Sequence, residues 1–143
     1  MKKSAVLWIV LICLASGLLA QPSSSAAQSI HWDRQTFTIG DKDVVLIGGS
    51  MHYFRIPAQE WAATFERMRE DGFNLVDVYI PWFIHEPEEN KFDFDNLQRF
   101  LDMAHKYGLY VVARPGPYIN SETDQGAFPR WLSGKGVDRK SVV

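Results

Sequence analysis

Residues 72–81 read Gly72-Phe73-Asn74-Leu75-Val76-Asp77-Val78-Tyr79-Ile80-Pro81, and the architecture of the chain can be followed outward from them. Leu75 to Ile80 is rich in β-branched residues and is halted by Pro81, which is the pattern of a strand. Gly72 is a natural helix stop. Upstream of it, Pro57 opens a helix, where a missing N–H costs nothing, and Trp61, Phe65 and Met68 fall on one face at helical spacing. Earlier still, Val44-Val45-Leu46-Ile47 is a continuous apolar run ending in Gly48-Gly49-Ser50, as a buried parallel strand should look. Downstream, Asp93 or Asp95 caps a second helix. Its buried stripe is Leu97, Phe100, Leu101 and Ala104, and Gly108 ends it. A third strand, Leu109 to Ala113, stops at Pro115-Gly116-Pro117.

Strand, helix, strand, helix, strand is the order of βαβ units and a parallel sheet, so the fold class is α/β. Pro129-Arg130-Trp131-Leu132 begins another covering segment. Periodicity alone does not separate an open doubly wound sheet from a barrel. Before the first unit, Ile30, Trp32, Phe37 and Ile39 alternate with polar neighbours as one or two short strands, and Gly40-Asp41-Lys42-Asp43 is a turn by composition.

The start of the chain has a different character. Lys2 and Lys3 precede an apolar run from Ala5 to Ala20, and small polar residues follow through Ala27. That order predicts a secretory signal peptide over residues 1–27, with cleavage after Ala20 or Ala27. The run is at the short end for spanning ~30 Å of hydrocarbon. The expected product is exported to the periplasm or the extracellular space and leaves no membrane anchor. Cys13, the only cysteine, lies inside this signal, so the mature chain has neither a disulfide framework nor a thiol nucleophile. The whole chain has 15 basic and 17 acidic residues, and cleavage removes two of the former and none of the latter. Nothing in that balance suggests a nucleic-acid partner.

In parallel α/β folds, sites form at the C-terminal ends of the strands. Three stretches fall there: Ser50-Met51-His52-Tyr53-Phe54-Arg55, Tyr79-Ile80-Pro81-Trp82 with His85-Glu86-Pro87, and Arg114 through Glu122. Each mixes aromatic rings with hydrogen-bonding groups, which suits a sugar's apolar face and its hydroxyls. No glycine-rich phosphate loop follows a strand. His31, His52, His85 and His105 lack the spacing of a metal site, so no metal or other cofactor is expected.

Plainer roles compete at several positions. Trp82 and Tyr118 read equally as core aromatics, and His52 as a structural histidine bonded to backbone. Glu86 reads as a solvated loop charge or a helix-entry residue. Arg114 fits a pairing with a carboxylate beneath the site better than a substrate contact. Asn120 and Glu122, placed after the Pro-Gly-Pro turn, are the strongest functional candidates.

At these same residues the sequence resembles the β-galactosidases of glycoside hydrolase family 35. The resemblance runs through Gly49-Ser50-Met51-His52-Tyr53-Phe54-Arg55-Ile56-Pro57. It continues in Tyr79-Ile80-Pro81-Trp82, His85-Glu86-Pro87 and Phe92-Asp93-Phe94, and in Arg114-Pro115-Gly116-Pro117-Tyr118-Ile119. It implies that residues 28–143 are the N-terminal part of a (β/α)₈ TIM barrel, incomplete in this chain, since a complete barrel needs ~250 residues. It implies removal of terminal β-linked galactose with retention of configuration from a β-galactoside oligosaccharide or polysaccharide side chain. It further implies that Tyr79, Asn120 and Glu122 hold galactose hydroxyls, with the Ser121 backbone close by. The two catalytic glutamates are expected beyond residue 143, so the 143-residue fragment alone is expected to be inactive.

Thr123 stands where family members often carry Trp, Phe83 where they often carry Asn, and Asn90 where glycine is usual. The alternatives are a barrel glycosidase for another β-linked sugar, and a non-catalytic sugar-binding or truncated product.

Overall fold

A computed structural model of the chain describes residues 28–120 and 123–136. The expected signal segment, Ser121 and Glu122 lie outside the described residues. The chain divides into two compact units, one ending at Asp43 and one beginning at Val44, so the single 28–143 domain expected from the sequence is described in two parts.

β1 (Ile30–Trp32) pairs antiparallel with β2 (Phe37–Ile39), and β3 (Lys42–Val44), whose last residue is the first of the second unit, completes a three-stranded sheet in the order β1-β2-β3. The β1–β2 turn is built by Asp33, whose Oδ1 accepts from the backbone N–H groups of Gln35 (2.7 Å) and Thr36 (2.8 Å). Those two bonds hold its carboxyl below the usual range. The turn expected over Gly40–Asp43 is shorter than predicted, because Lys42 and Asp43 already belong to β3, and Asp43 Oδ1 accepts from Thr38 Oγ1 at 2.9 Å.

The second unit holds three parallel strands, β4 (Gly48–Ser50), β5 (Leu75–Ile80) and β6 (Tyr110–Pro115), in the order β4-β5-β6. Pro57 caps a 3₁₀ turn (Ala58–Glu60) that runs into α1 (Trp61–Glu70); α2 (Trp82–His85) and α3 (Asp95–Lys106) follow β5. The entry to α3 is held by Asp93, whose Oδ1 accepts from the Asp95 N–H at 2.9 Å. Gly72 and Gly108 end α1 and α3 with left-handed φ of 87° and 67°.

The predicted first parallel strand, Val44–Ile47, sits four residues too early. Val45 and Ile47 are 75% and 53% exposed, and the ladder begins at Gly48 opposite Leu75. Close approach selects the glycine. A Cβ there would lie 2.3 Å from Leu75 Cδ2 and 2.9 Å from the Leu75 carbonyl oxygen. The apolar run is instead tied to Asn74, which donates from Nδ2 to the Val45 carbonyl (2.7 Å) and from its N–H to the Ile47 carbonyl (2.9 Å), and accepts from the Ile47 N–H on Oδ1 (2.8 Å). The Asn74 carbonyl in turn takes the Tyr110 N–H at 2.8 Å, so one side chain and its backbone set the starts of three strands. The third strand is also displaced, from the predicted Leu109–Ala113 to Tyr110–Pro115. Pro115 is tolerated because it is the terminal residue.

Period-two alternation divides β5. Val76 and Val78 are fully buried against Phe65 of α1 and Phe100 of α3. The Phe65 and Phe100 rings meet at 5.1 Å, and Trp61 meets Phe100 edge-on at 5.5 Å. Each such side chain contributes about 1.5–3 kcal/mol on burial. Both helices therefore cover one face of the sheet, and strand order follows chain order. That winding is shared by a barrel and by one half of a doubly wound sheet, and it leaves Asp77 and Tyr79 on the face opposite the helices. Among the described residues no helix is long and apolar enough to cross a membrane.

Candidate functional site

The site is built on the inner face of the sheet, toward the strand C-termini. The parallel register sets Ser50 opposite Asp77, and Tyr79 opposite Arg114. Asp77 Oδ2 accepts from Ser50 Oγ at 3.2 Å and from Arg114 Nη1 at 3.3 Å. The same guanidinium lies over the Tyr79 ring, with Cζ 4.2 Å from the centroid, a cation–π contact. Arg114 thus pairs with a carboxylate one layer below Tyr79. Asp77 itself had no role in the sequence reading; its signal was a lone charge in an apolar strand, in phase with Tyr79.

His52, just past β4, packs on the other side of Tyr79 at a centroid distance of 5.1 Å and stacks on Phe54 at 5.4 Å. The expected backbone bond is not made: among the described residues its buried Nδ1 has no partner, and neither has Asp77 Oδ1. Burial holds the imidazole below its ordinary pKa, and the Arg55 cation adds to that, so the neutral ring is favoured.

His85 and Glu86 serve structure. His85 Nδ1 donates to the Asp93 carbonyl (2.7 Å), which leaves Nε2 to accept from Tyr53 Oη (2.5 Å). Burial pushes the Tyr53 phenol up. Glu86 is 5% exposed, which corrects the solvated-charge reading. Its Oε2 accepts from Trp82 Nε1, its Oε1 from the Asn90 N–H (2.8 Å), and its carbonyl from Trp131 Nε1 (2.9 Å). Asn90 is left-handed with φ 62°, as the sequence position implied. Trp82 is partly buried between Trp131 and Phe128, whereas Tyr118 is 49% exposed and is not a core residue.

Of the predicted site residues, Tyr79 stands at the end of β5. Asn120 is exposed beyond β6, with Oδ1 accepting from Tyr118 Oη at 3.4 Å. The chain after β6 turns through a cis Gly116-Pro117 bond, and the Ile119 N–H donates to the Gly126 carbonyl at 3.1 Å. No group of three or more His, Cys, Asp or Glu arranged for a metal occurs among the described residues.

The model of the glycosyl hydrolases family 35 matches residues 36–141. The chain belongs to this family. Among its relatives, probable β-galactosidase C of Talaromyces marneffei is 35% identical over 129 residues, covering 87% of this chain and 13% of the relative. Human β-galactosidase-1-like protein 2 is 46% identical over 99 residues, covering 67% of this chain and 16% of the relative. The chain therefore spans about an eighth to a sixth of the length of these relatives. Two solved structures share the fold, each at 22% identity and over 64% of this chain. One is the exo-β-1,4-mannosidase Op5Man5 from Opitutaceae bacterium strain TAV5 (TM-score 0.56, 18% of that chain); the other is the β-galactosidase of Marinomonas ef1 (TM-score 0.50, 13% of that chain). The three parallel strands are accordingly part of a (β/α)₈ barrel, the fold expected for the family.

Proposed function

We propose that the full-length protein is a retaining glycoside hydrolase that releases terminal β-linked galactose from an oligosaccharide or a polysaccharide side chain. The observation that carries this reading is Tyr79, presented on the inner face at the end of β5 and held between Arg114 and His52, in a chain of family 35. The naming of the relatives as β-galactosidases supports galactose over other sugars. In this reading Tyr79, Asn120 and Glu122 bind galactose hydroxyls and the Ser121 backbone lies alongside. The chemistry belongs to two carboxyl groups ~5–5.5 Å apart on later strands: one attacks the anomeric carbon, and the other protonates the leaving oxygen and then activates water. Positioning contacts strengthen as the ring flattens toward the oxocarbenium ion, so they affect turnover as well as binding.

The protein is also read as exported, with residues 1–27 removed, on the strength of Lys2-Lys3, the apolar run and the small residues before Gln28.

The test is hydrolysis of aryl β-galactoside, β-glucoside and β-mannoside by the full-length protein. Preferential release from the galactoside is expected. A preference for either other sugar would overturn the assignment of galactose, and cleavage of none would overturn the enzyme reading.

A further inference from the structure

We infer that Gln28 is a modification site: freed as the first residue of the mature protein, it closes into an N-terminal pyroglutamate, and the chain loses its α-amino charge. The inference rests on the export reading and goes beyond it, since it fixes the cleavage position and adds a covalent step.

The sequence selects the position. Of the two cleavage points, Ala20 has Leu18 two places before it, whereas Ala27 has Ser25. Signal cleavage takes small residues at both places, so Ser25-Ala26-Ala27 is the better match. The polar stretch from Gln21 then separates the apolar run from the cut, and Gln28 becomes the new terminus.

The fold leaves that terminus accessible. Gln28 is exposed, and the chain is first anchored one residue later. The Ser29 carbonyl accepts from the Gly40 N–H at 2.8 Å, and Ile30 pairs with Ile39. Cleavage after Ala27 keeps the β1–β2 ladder whole. Ring closure turns only bonds within Gln28, upstream of the first anchor.

The chemistry needs no co-reactant. An α-amine has a pKa of about 7.7–8.0, so roughly a tenth of it is unprotonated at pH 7. Its nitrogen attacks the side-chain Cδ of the same residue, an intramolecular encounter that forms an unstrained five-membered lactam. The N–Cδ bond forms, the Cδ–Nε2 bond breaks, and ammonia leaves with the proton that the amine gives up. One positive charge disappears from the terminus. Exopeptidases that grip a free α-amine then have no purchase on β1, which is an edge strand in the order β1-β2-β3.

The test reads the mass of the N-terminal peptide of the full-length protein recovered from a secretion-competent host. Free amines are acetylated on the denatured protein before trypsin is added, which excludes ring closure during digestion. The expected peptide runs from Gln28 to Arg34, lacks one ammonia and carries no acetyl group. Residues 29–34 contain no other side-chain amide, so the loss is assigned to Gln28 alone. Gln28→Ser should give the same peptide boundaries with an acetyl group in place. An acetylated, unclosed Gln28 as the main form would overturn the pyroglutamate and leave export intact. So would an unacetylated terminus in Gln28→Ser, because the block would then not be the ring. A first residue at Gln21 or Ala27 would likewise overturn the assignment of Gln28 while export stood. A peptide that still carries Lys2 or Lys3 would overturn both readings.

Discussion

The Arg114 guanidinium lies over Tyr79 with its Cζ 4.2 Å from the ring centroid, and the two residues are direct register partners on β6 and β5. Arg114 is anchored from below by Asp77 at 3.3 Å, so the ring at the mouth of the sheet is held by an ion pair in the layer beneath it. An exposed ion pair contributes only ~0.2–1 kcal/mol and an exposed cation–π contact ~0.5–1 kcal/mol. Their effect here is on orientation more than on stability.

Replacing Arg114 by Met is therefore expected to lower kcat/KM on an aryl β-galactoside by about 3- to 30-fold, with little change in melting temperature. Arg114→Lys keeps the charge without the planar stacking surface and should fall between Met and wild type. Wild-type kinetics in Arg114→Met would show that Tyr79 does not depend on this contact.

Glu86 should behave in the opposite way, with stability lost first. Glu86→Ala leaves the Trp82 indole and the Asn90 N–H without their acceptor, at a cost of about 2–4 kcal/mol. Glu86→Gln retains an acceptor oxygen and should lose less. Denaturant unfolding of the full-length variants measures both. Equal stability of Glu86→Ala and wild type would contradict the structural role.

His52 predicts a pH dependence. Its folded-state pKa is depressed by burial and by Arg55, so below the ordinary value of about 6.5 the unfolded chain binds a proton that the folded chain refuses. Its contribution to stability is full above that pH and declines as pH falls toward the folded pKa. His52→Gln should remove this component from the stability-versus-pH curve between about pH 6.5 and the folded value. A curve of unchanged shape would refute the assignment.

Glu122 is expected to position sugar without doing chemistry. A charged hydrogen bond is worth ~1.5–3 kcal/mol, so Glu122→Gln should lower kcat/KM by about ten- to a hundredfold. Azide should not restore the rate. Near-total loss with azide rescue would identify Glu122 as the nucleophile.

The legible parts of the fold were those written as local pattern. Leu75–Ile80 matches its predicted bounds because alternation and Pro81 agree. The face of α1 carried by Trp61 and Phe65 is buried as spaced. The first parallel strand was misplaced because hydrophobicity marks the Asn74-tied run, while the ladder is fixed by how closely Gly48 approaches Leu75, a tertiary constraint. In the site, the position of Tyr79 and the pairing of Arg114 with some carboxylate were readable from strand ends. That the carboxylate is Asp77, and that Glu86 is buried, depended on register and on loop closure around Trp131. Neither is encoded within a short window.

The parity of β5 constrains how this scaffold can change. Val76 and Val78 point to the helices, and Asp77 and Tyr79 to the opposite, inner face of the sheet. A single residue gained or lost within Leu75–Ile80 would exchange the two sets. Two aliphatic side chains would then line the inner face, and an acid and a phenol would be driven into the layer beneath α1 and α3. Length variation among descendants of this sequence should therefore collect after Pro81 and after Pro115, where added residues reshape the rim and leave the strand's phase untouched.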